Sequence, residues 1–375
     1  MLEFNGYIKQ VKYKAFLSHP LKRHEINTFD VNTAKTYGEI GIHSGTIAYS
    51  KWVTPKRTRS YPFERIYNTY NSPKVLTIIP IIKDEGQNGD FDRVQYSTFS
   101  WMNLLNIYVV LGYYFHAEKS YKKDQEKRNK ITGQKFDSIF VNEQINEIAH
   151  FKQSALHWNK NLIEERFVDI YSKAIAAYKT ISQTTGVALH LLESQQDYLK
   201  SIEQEFANFK DISLRGSLNA AQRESKTNHQ REFLEYGEKA IFHIRNYLGG
   251  IYHLTADEVI YDGNSLIIQE SKNTSLDFLP SVSDIKDGLF KLILFENLDS
   301  LEQNGTKLQF VCRLKLTGAN IHGKVILPCD PIHISKFLAE NRDNYSAKHE
   351  ALIEKLNKEA TNNAKLSIEI GRNIK

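Results

Sequence analysis

The stretch Asp257-Glu-Val-Ile-Tyr-Asp-Gly-Asn-Ser-Leu-Ile-Ile-Gln-Glu-Ser-Lys272 leaves the chain few options. Val259-Ile260-Tyr261 and Leu266-Ile267-Ile268 are apolar and rich in β-branched residues, and Asp262-Gly263-Asn264-Ser265 between them is turn chemistry. The segment therefore predicts a β-hairpin. A Gly263-Asn264 turn sets Asp257 directly opposite Glu270, whereas an Asp262-Gly263 turn sets it diagonal to Glu270. In both registers the period-two alternation of a strand puts Asp257, Glu270 and Lys272 on one face. Directly opposed residues have Cβ atoms about 5 Å apart, so two carboxylates there repel unless water or a cation separates them. Oxygen ligands from an Asp and a Glu, with no His or Cys nearby in sequence, suit magnesium rather than zinc. A lysine on the same face can orient a metal-bound water or help deprotonate it, and can stabilise negative charge building on a phosphate.

One acid, then acid-x-lysine on the adjoining strand, resembles the PD-(D/E)XK nuclease superfamily, best known from type II restriction endonucleases. The resemblance implies that Asp257 and Glu270 bind the metal and that Lys272 positions the attacking water. Ala256 stands where the family name has proline. A second acid-x-lysine, Glu224-Ser225-Lys226, lies in a polar segment with no strand around it. The residues flanking the hairpin read as helix, hairpin, helix, strand, the αβββαβ order of the family core. The expected class is thus mixed α/β. A restriction-endonuclease-like core spans 211–330 and follows a large, mainly helical N-terminal α+β region, 1–210, assigned to DNA recognition and dimerisation. Residues 331–375 form a C-terminal helical tail.

Composition agrees with a soluble globular protein that buries a sizeable core, since 41% of the 375 residues are hydrophobic and 25% charged. The net charge of +5 is compatible with nucleic acid but far below that of a histone-like binder. Cys312 and Cys329 are too few for a disulfide framework or a cysteine zinc site, and the N-terminal MLEFNGYIKQ has no signal-peptide core. The expected location is cytoplasmic, with no membrane partner.

Residues 51–70 interleave Lys51, Lys56, Arg57, Arg59 and Arg65 with Trp52, Tyr61, Phe63, Tyr67 and Tyr70. Such a set suits phosphate contacts and guanine edges, so these five basic residues are the expected DNA contacts. Pro55 and Pro62 argue against a regular helix through the stretch. Tyr7-Ile8 and Lys12–Leu17 read as short strands, and His19, His24 and His43 lack metal-ligand spacing. Asp84, Glu85, Asp90 and Asp92 occupy a glycine-containing loop, and with Glu118 they make a rival metal site. Glu118 and Lys119 are adjacent, however, and would point to opposite faces of a strand. Phe99–Phe115 falls short of a membrane span and reads as helix leading into strand. From 138 to 210 the pattern is helical, with Ile163, Phe167, Ile170, Ala174, Tyr178 and Ile181 on one face until Gly186.

Residues 211–231 read as a linker. Arg231–Tyr247 reads as a helix with Leu234, Ile241, Ile244 and Leu248 inward. In the family an acid on the preceding helix often joins the metal, which makes Glu238, or Glu235, the third candidate ligand. Ser281 caps a helix running to about Leu298, whose Lys286 and Lys291 are candidates to face DNA. Leu308–Leu316 is a strand, and Ile334–Lys375 a charged helix. The expected activity is magnesium-dependent cleavage of double-stranded DNA at a specific site, as by a type II restriction endonuclease with a cognate methyltransferase as genetic partner. A palindromic target calls for a homodimer. The alternatives are a repair, mobile-element or RNA-directed nuclease of the same fold, or a catalytically silent nucleic-acid-binding protein.

Overall fold

The computed structural model of the chain describes residues 2–43, 45–55, 63–120, 129–190, 192–204, 218, 237–246, 250–263 and 265–372. The chain divides into two compact units: Met1–Pro20, Thr58–Asn71 and Leu218–Lys375 form one, and Leu21–Arg57 with Ser72–Ser217 the other. Region 1–210 is therefore not one body, and 331–375 is not a separate tail.

In chain order, β1 (Leu2–Ile8) precedes β2 (Arg23–Glu25), β3 (Tyr37–Ile42) and β4 (Gly45–Lys51). Lys12–Leu17 is not a strand. Its backbone N–H groups are taken by side chains instead, those of Lys12, Lys14, Phe16 and Leu17 donating to Asn297, Asn363, Glu359 and Tyr67. The proline-free residues after Pro62 form a short helix, α1 (Phe63–Thr69). There follow β5 (Val75–Pro80), β6 (Ile82–Asp84), β7 (Phe91–Arg93), α2 (Tyr96–Leu104), β8 (Ile107–Gly112), β9 (Tyr114–Lys119) and β10 (Ile131–Phe136). The 99–115 segment is indeed helix leading into strand. Helices α3 (Ser138–His150), α4 (Ala155–Asn161), α5 (Phe167–Thr185) and α6 (Leu192–Gln204) come next. A π-helical turn, Leu162–Arg166, links α4 to α5.

The unit holding β2 to β10 is built on a five-stranded sheet in the order β2-β3-β4-β5-β8. The six stripe residues from Ile163 to Ile181 are all buried, and Gly186 ends α5 with φ of 65°, where a side chain would be strained.

The other unit continues with β11 (Glu238–Asn246), β12 (Ile251–Asp262), β13 (Ser265–Asn273) and α7 (Val282–Glu296). It ends with β14 (Ser300–Gln303), β15 (Thr306–Lys307), β16 (Gln309–Gly318), β17 (Lys324–Leu327), α8 (Pro331–Glu340), α9 (Ala347–Asn362) and β18 (Leu366–Arg372). These strands and β1 make one nine-stranded sheet in the order β15-β14-β1-β11-β12-β13-β16-β18-β17. Within it β11, β12 and β13 are an antiparallel meander, α7 then leads to β14 beside β1, and β16 returns to lie parallel to β13. The Ser281 hydroxyl caps α7 by accepting from the Asp284 N–H. Ile285, Leu289, Leu292 and Ile293 face inward as expected.

Two expectations fail here. Residues 238–246 of the supposed Arg231–Tyr247 helix are a strand, while 231–236 lie outside the described residues. Ala240, Ile241, Phe242 and Ile244 are all buried, and a continuous apolar run enclosed on both faces carries no periodicity that separates helix from strand. The C-terminal region is two helices and then β18, whose Ile368 and Ile370 are fully buried. The alternation in Leu366-Ser-Ile-Glu-Ile370 is the period-two signal the helical reading passed over.

Candidate metal centre

The hairpin takes the first of its two registers. Asp262 pairs with Ser265 and Glu258 with Gln269, so the ladder brings Asp257 opposite Glu270. Gly263 in the turn has φ of 57°, a left-handed conformation that suits glycine.

A β-bulge fixes where Asp257 points. On the other side of β12, Ala240 pairs with Ala256 and Glu238 with Val259. Asp257 and Glu258 together therefore oppose the single residue Lys239, which is the definition of a bulge. Before it, the even residues of β12 lie on the α7 side, since Leu254 pairs with Phe242 and Phe242 packs on Phe295 of α7. Beyond it the odd residues do, since Val259 pairs with Ile268, two residues from Glu270. The extra residue thus turns Asp257 onto the face that α7 covers. The Ser271 N–H donates to Asp257 Oδ2 at 2.9 Å and pins the carboxylate.

Two residues of α7 complete the cluster. Lys291 Nζ lies 2.6 Å from Glu270 Oε1, and Lys272 Nζ donates to Asp287 Oδ2 at 2.9 Å. Asp287 Oδ1 is a buried oxygen to which no hydrogen-bond donor is directed, and the buried Glu270 Oε1 faces the Lys291 ammonium. Glu270 is 2% exposed. Its burial, and then the Asp257 charge, push its carboxyl above the usual carboxylate range, while Lys291 and Lys272 pull it back. Burial draws the Lys272 ammonium down, but Asp287 and Glu270 outweigh it and hold the lysine above its ordinary value. Gly288 makes room for this lysine. A Cβ there would sit 3.2 Å from Lys272 Cε and 2.8 Å from Leu314 Cδ1.

Sequence reasoning missed Asp287 and Lys291 as members of the site. The available signal was their spacing of four around a glycine, which aligns them on one helix face.

The other candidates stand elsewhere. Glu238 is the exposed first residue of β11, not a helix acid. It is not brought in as a third ligand, since among the described residues no three His, Cys, Asp or Glu side chains converge to hold a metal. Glu235 lies outside the described residues. Lys51 is buried, and its Nζ donates to the carbonyls of Val31 at 2.7 Å and Ala34 at 2.6 Å, so it is a structural cation and not an exposed DNA contact. Arg65 is likewise buried, in α1, and Lys56, Arg57 and Arg59 lie outside the described residues. Lys286 is 1% exposed and donates to Asn68 at 2.7 Å. With Lys291 on Glu270, neither helix lysine stands on an exposed face.

Among the described residues the acids of the rival site do not gather into a metal-holding group. Asp84 accepts from the N–H groups of Gly86 and His190 and contacts the His190 ring. Glu85 pairs with Lys83, and Asp92 accepts from Thr54. The Asp90 carbonyl closes a turn onto the Glu85 N–H. Glu118 sits on β9 opposite Thr132.

The donor set at the hairpin fits magnesium. It offers two facing carboxylates, and magnesium commonly takes only one or two protein carboxylates, filling its octahedron with water and phosphate oxygens. No helix among the described residues is long and apolar enough to cross a membrane. No protein-family model matches the sequence, and comparison with curated proteins and with solved structures returns no match.

Proposed function

We propose that the chain is a magnesium-dependent endonuclease of the PD-(D/E)XK kind that hydrolyses phosphodiester bonds in double-stranded DNA, in the manner of a type II restriction enzyme. The observation that carries this reading is the placement of Asp257 opposite Glu270, with Lys272 two residues on, beneath α7. The meander, α7 and the parallel strand β16 are pieces the family resemblance calls for, although here the β14-β15 pair comes between α7 and β16.

Asp257 and Glu270 would hold the ion. Bound magnesium supplies Lewis-acid polarisation of the phosphate and a more acidic water. The chain's own residues do the rest. Ser271 and the bulge keep Asp257 aimed across the hairpin, and burial keeps Glu270 fixed. Lys272, oriented by Asp287, holds the attacking water and stabilises negative charge gathering on the phosphate oxygens.

The test is incubation of the purified protein with plasmid and phage DNA of mixed sequence, in magnesium and in EDTA, read on a gel. Discrete magnesium-dependent bands support a site-specific endonuclease. A magnesium-dependent smear moves the reading to a repair or mobile-element nuclease of the same fold. No cutting, together with no magnesium binding that Asp257→Ala removes, would sink it in favour of a silent nucleic-acid-binding protein.

A further inference from the structure

Two lysines and three carboxylates are cross-paired at this site. Lys272 comes from the hairpin and is held by Asp287 of the helix, while Lys291 comes from the helix and is held against Glu270 of the hairpin. We propose that Lys291 is a resident counter-ion, displaced from Glu270 when a divalent cation binds, and that its freed ammonium then contacts the phosphate. The inference rests on the metal reading above.

Glu270 is only 2% exposed, and Lys291 Nζ lies 2.6 Å from its Oε1, so the buried carboxylate already has a cation against the oxygen it would offer a metal. A metal bound to Glu270 and Asp257 would compete for the oxygen that Lys291 now contacts, so one cation must yield. Lysine can yield, because its ammonium rides on a flexible four-carbon stem. Lys272 is held by Asp287, and Gly288 leaves its stem a fitted groove.

A divalent cation adds positive charge to the cluster without removing Lys291 from it, so a phosphate oxygen becomes a favourable partner for the ammonium that has left Glu270.

The experiment titrates manganese into the full chain without nucleic acid, reading the free hexaaquo ion by electron paramagnetic resonance. Lys291→Met should bind manganese at least about tenfold more tightly than the wild type, because a competing charge has gone from the pocket. Lys291→Arg should stay near wild type, and Glu270→Gln should bind much more weakly. At saturating manganese, Lys291→Met should nonetheless cut DNA at least about tenfold more slowly, having lost a phosphate contact. Unchanged or weaker manganese binding by Lys291→Met, while Glu270→Gln still loses it, overturns the counter-ion role alone. Undiminished cutting by Lys291→Met overturns the phosphate contact. Manganese binding that ignores Glu270→Gln overturns the metal reading beneath both. Far-UV circular dichroism melts check folding, and Lys291→Gln replaces the methionine variant if that one does not fold.

Discussion

Asp257 and Glu270 face each other but differ in enclosure, the first half-buried and the second almost fully so. Asp257→Ala should leave thermal melting nearly unchanged, while Glu270→Ala removes the buried carboxylate that faces Lys291 and should cost about 3 kcal/mol. Glu270→Gln is the cleaner probe. Asp257→Ala, Glu270→Gln and Lys272→Met should each slow magnesium-dependent cleavage by about a hundredfold or more, and active variants at all three positions would remove the assignment. Glu296, the last residue of α7, gives a separate pH prediction. Burial pushes its carboxyl up to about 7 from an ordinary 4.5, even though Lys365 pulls the other way. One of its oxygens is buried without a donor, and it sits at the negative end of a helix. The native state therefore holds this proton more tightly than the unfolded chain. The resulting stabilisation is complete below pH 4.5 and is lost as pH rises through about 7. Glu296→Gln should match the wild type at pH 4.5 and melt higher at pH 8, as read by scanning calorimetry in EDTA. The pairing of Asp257 with Glu270 was legible in the sequence because strand alternation and turn chemistry are both local. Of Lys291 and Asp287 only the shared helix face was legible, because their membership depends on how that helix settles on the hairpin.

Helix α7 carries a glycine where alanine would be the better helix former by about 1 kcal/mol. Gly288→Ala should nevertheless raise no melting temperature, because the new methyl group meets Leu314 and the Lys272 stem. Cleavage should fall by about tenfold or more as the lysine is pushed off Asp287. Steady-state cutting beside a melting curve checks both halves. The same element shows what periodicity can deliver. Its apolar positions and its Ser281 cap were readable, since a 3.6-residue repeat and a capping hydroxyl are properties of the segment itself. β11 was misread because Ala240-Ile-Phe-His-Ile244 is apolar on both faces, and the pairing with β1 and β12 that makes it a strand comes from outside the segment. The bulge at Asp257-Glu258 was equally invisible, because a bulge is a relation between two strands.

The nine-stranded sheet draws its strands from both ends of the described chain. β1 lies beside β11, and β18 lies between β16 and β17. Ile368→Ala, at a fully buried position of β18, should lower the free energy of unfolding by about 2–5 kcal/mol in urea titrations. Ile326→Ala, on the edge strand β17 and 43% exposed, should change it by less than about 1 kcal/mol. Equal effects would mean that β18 is not an interior strand. These placements were the least legible of all, since strand partners far apart in the chain, as β1 is from β11 and β18 from β16, leave no mark on each other's local pattern. β18 also bears on how the protein is made. On a ribosome, residues 366–372 emerge long after the hairpin, so β16 must wait beside an open edge while α8 and α9 are synthesised. Sheets closed by such late, long-range pairings form slowly. The hairpin carboxylates would thus be synthesised well before the sheet around them is closed, and a nascent chain would carry the residues of the site before it carries the finished site.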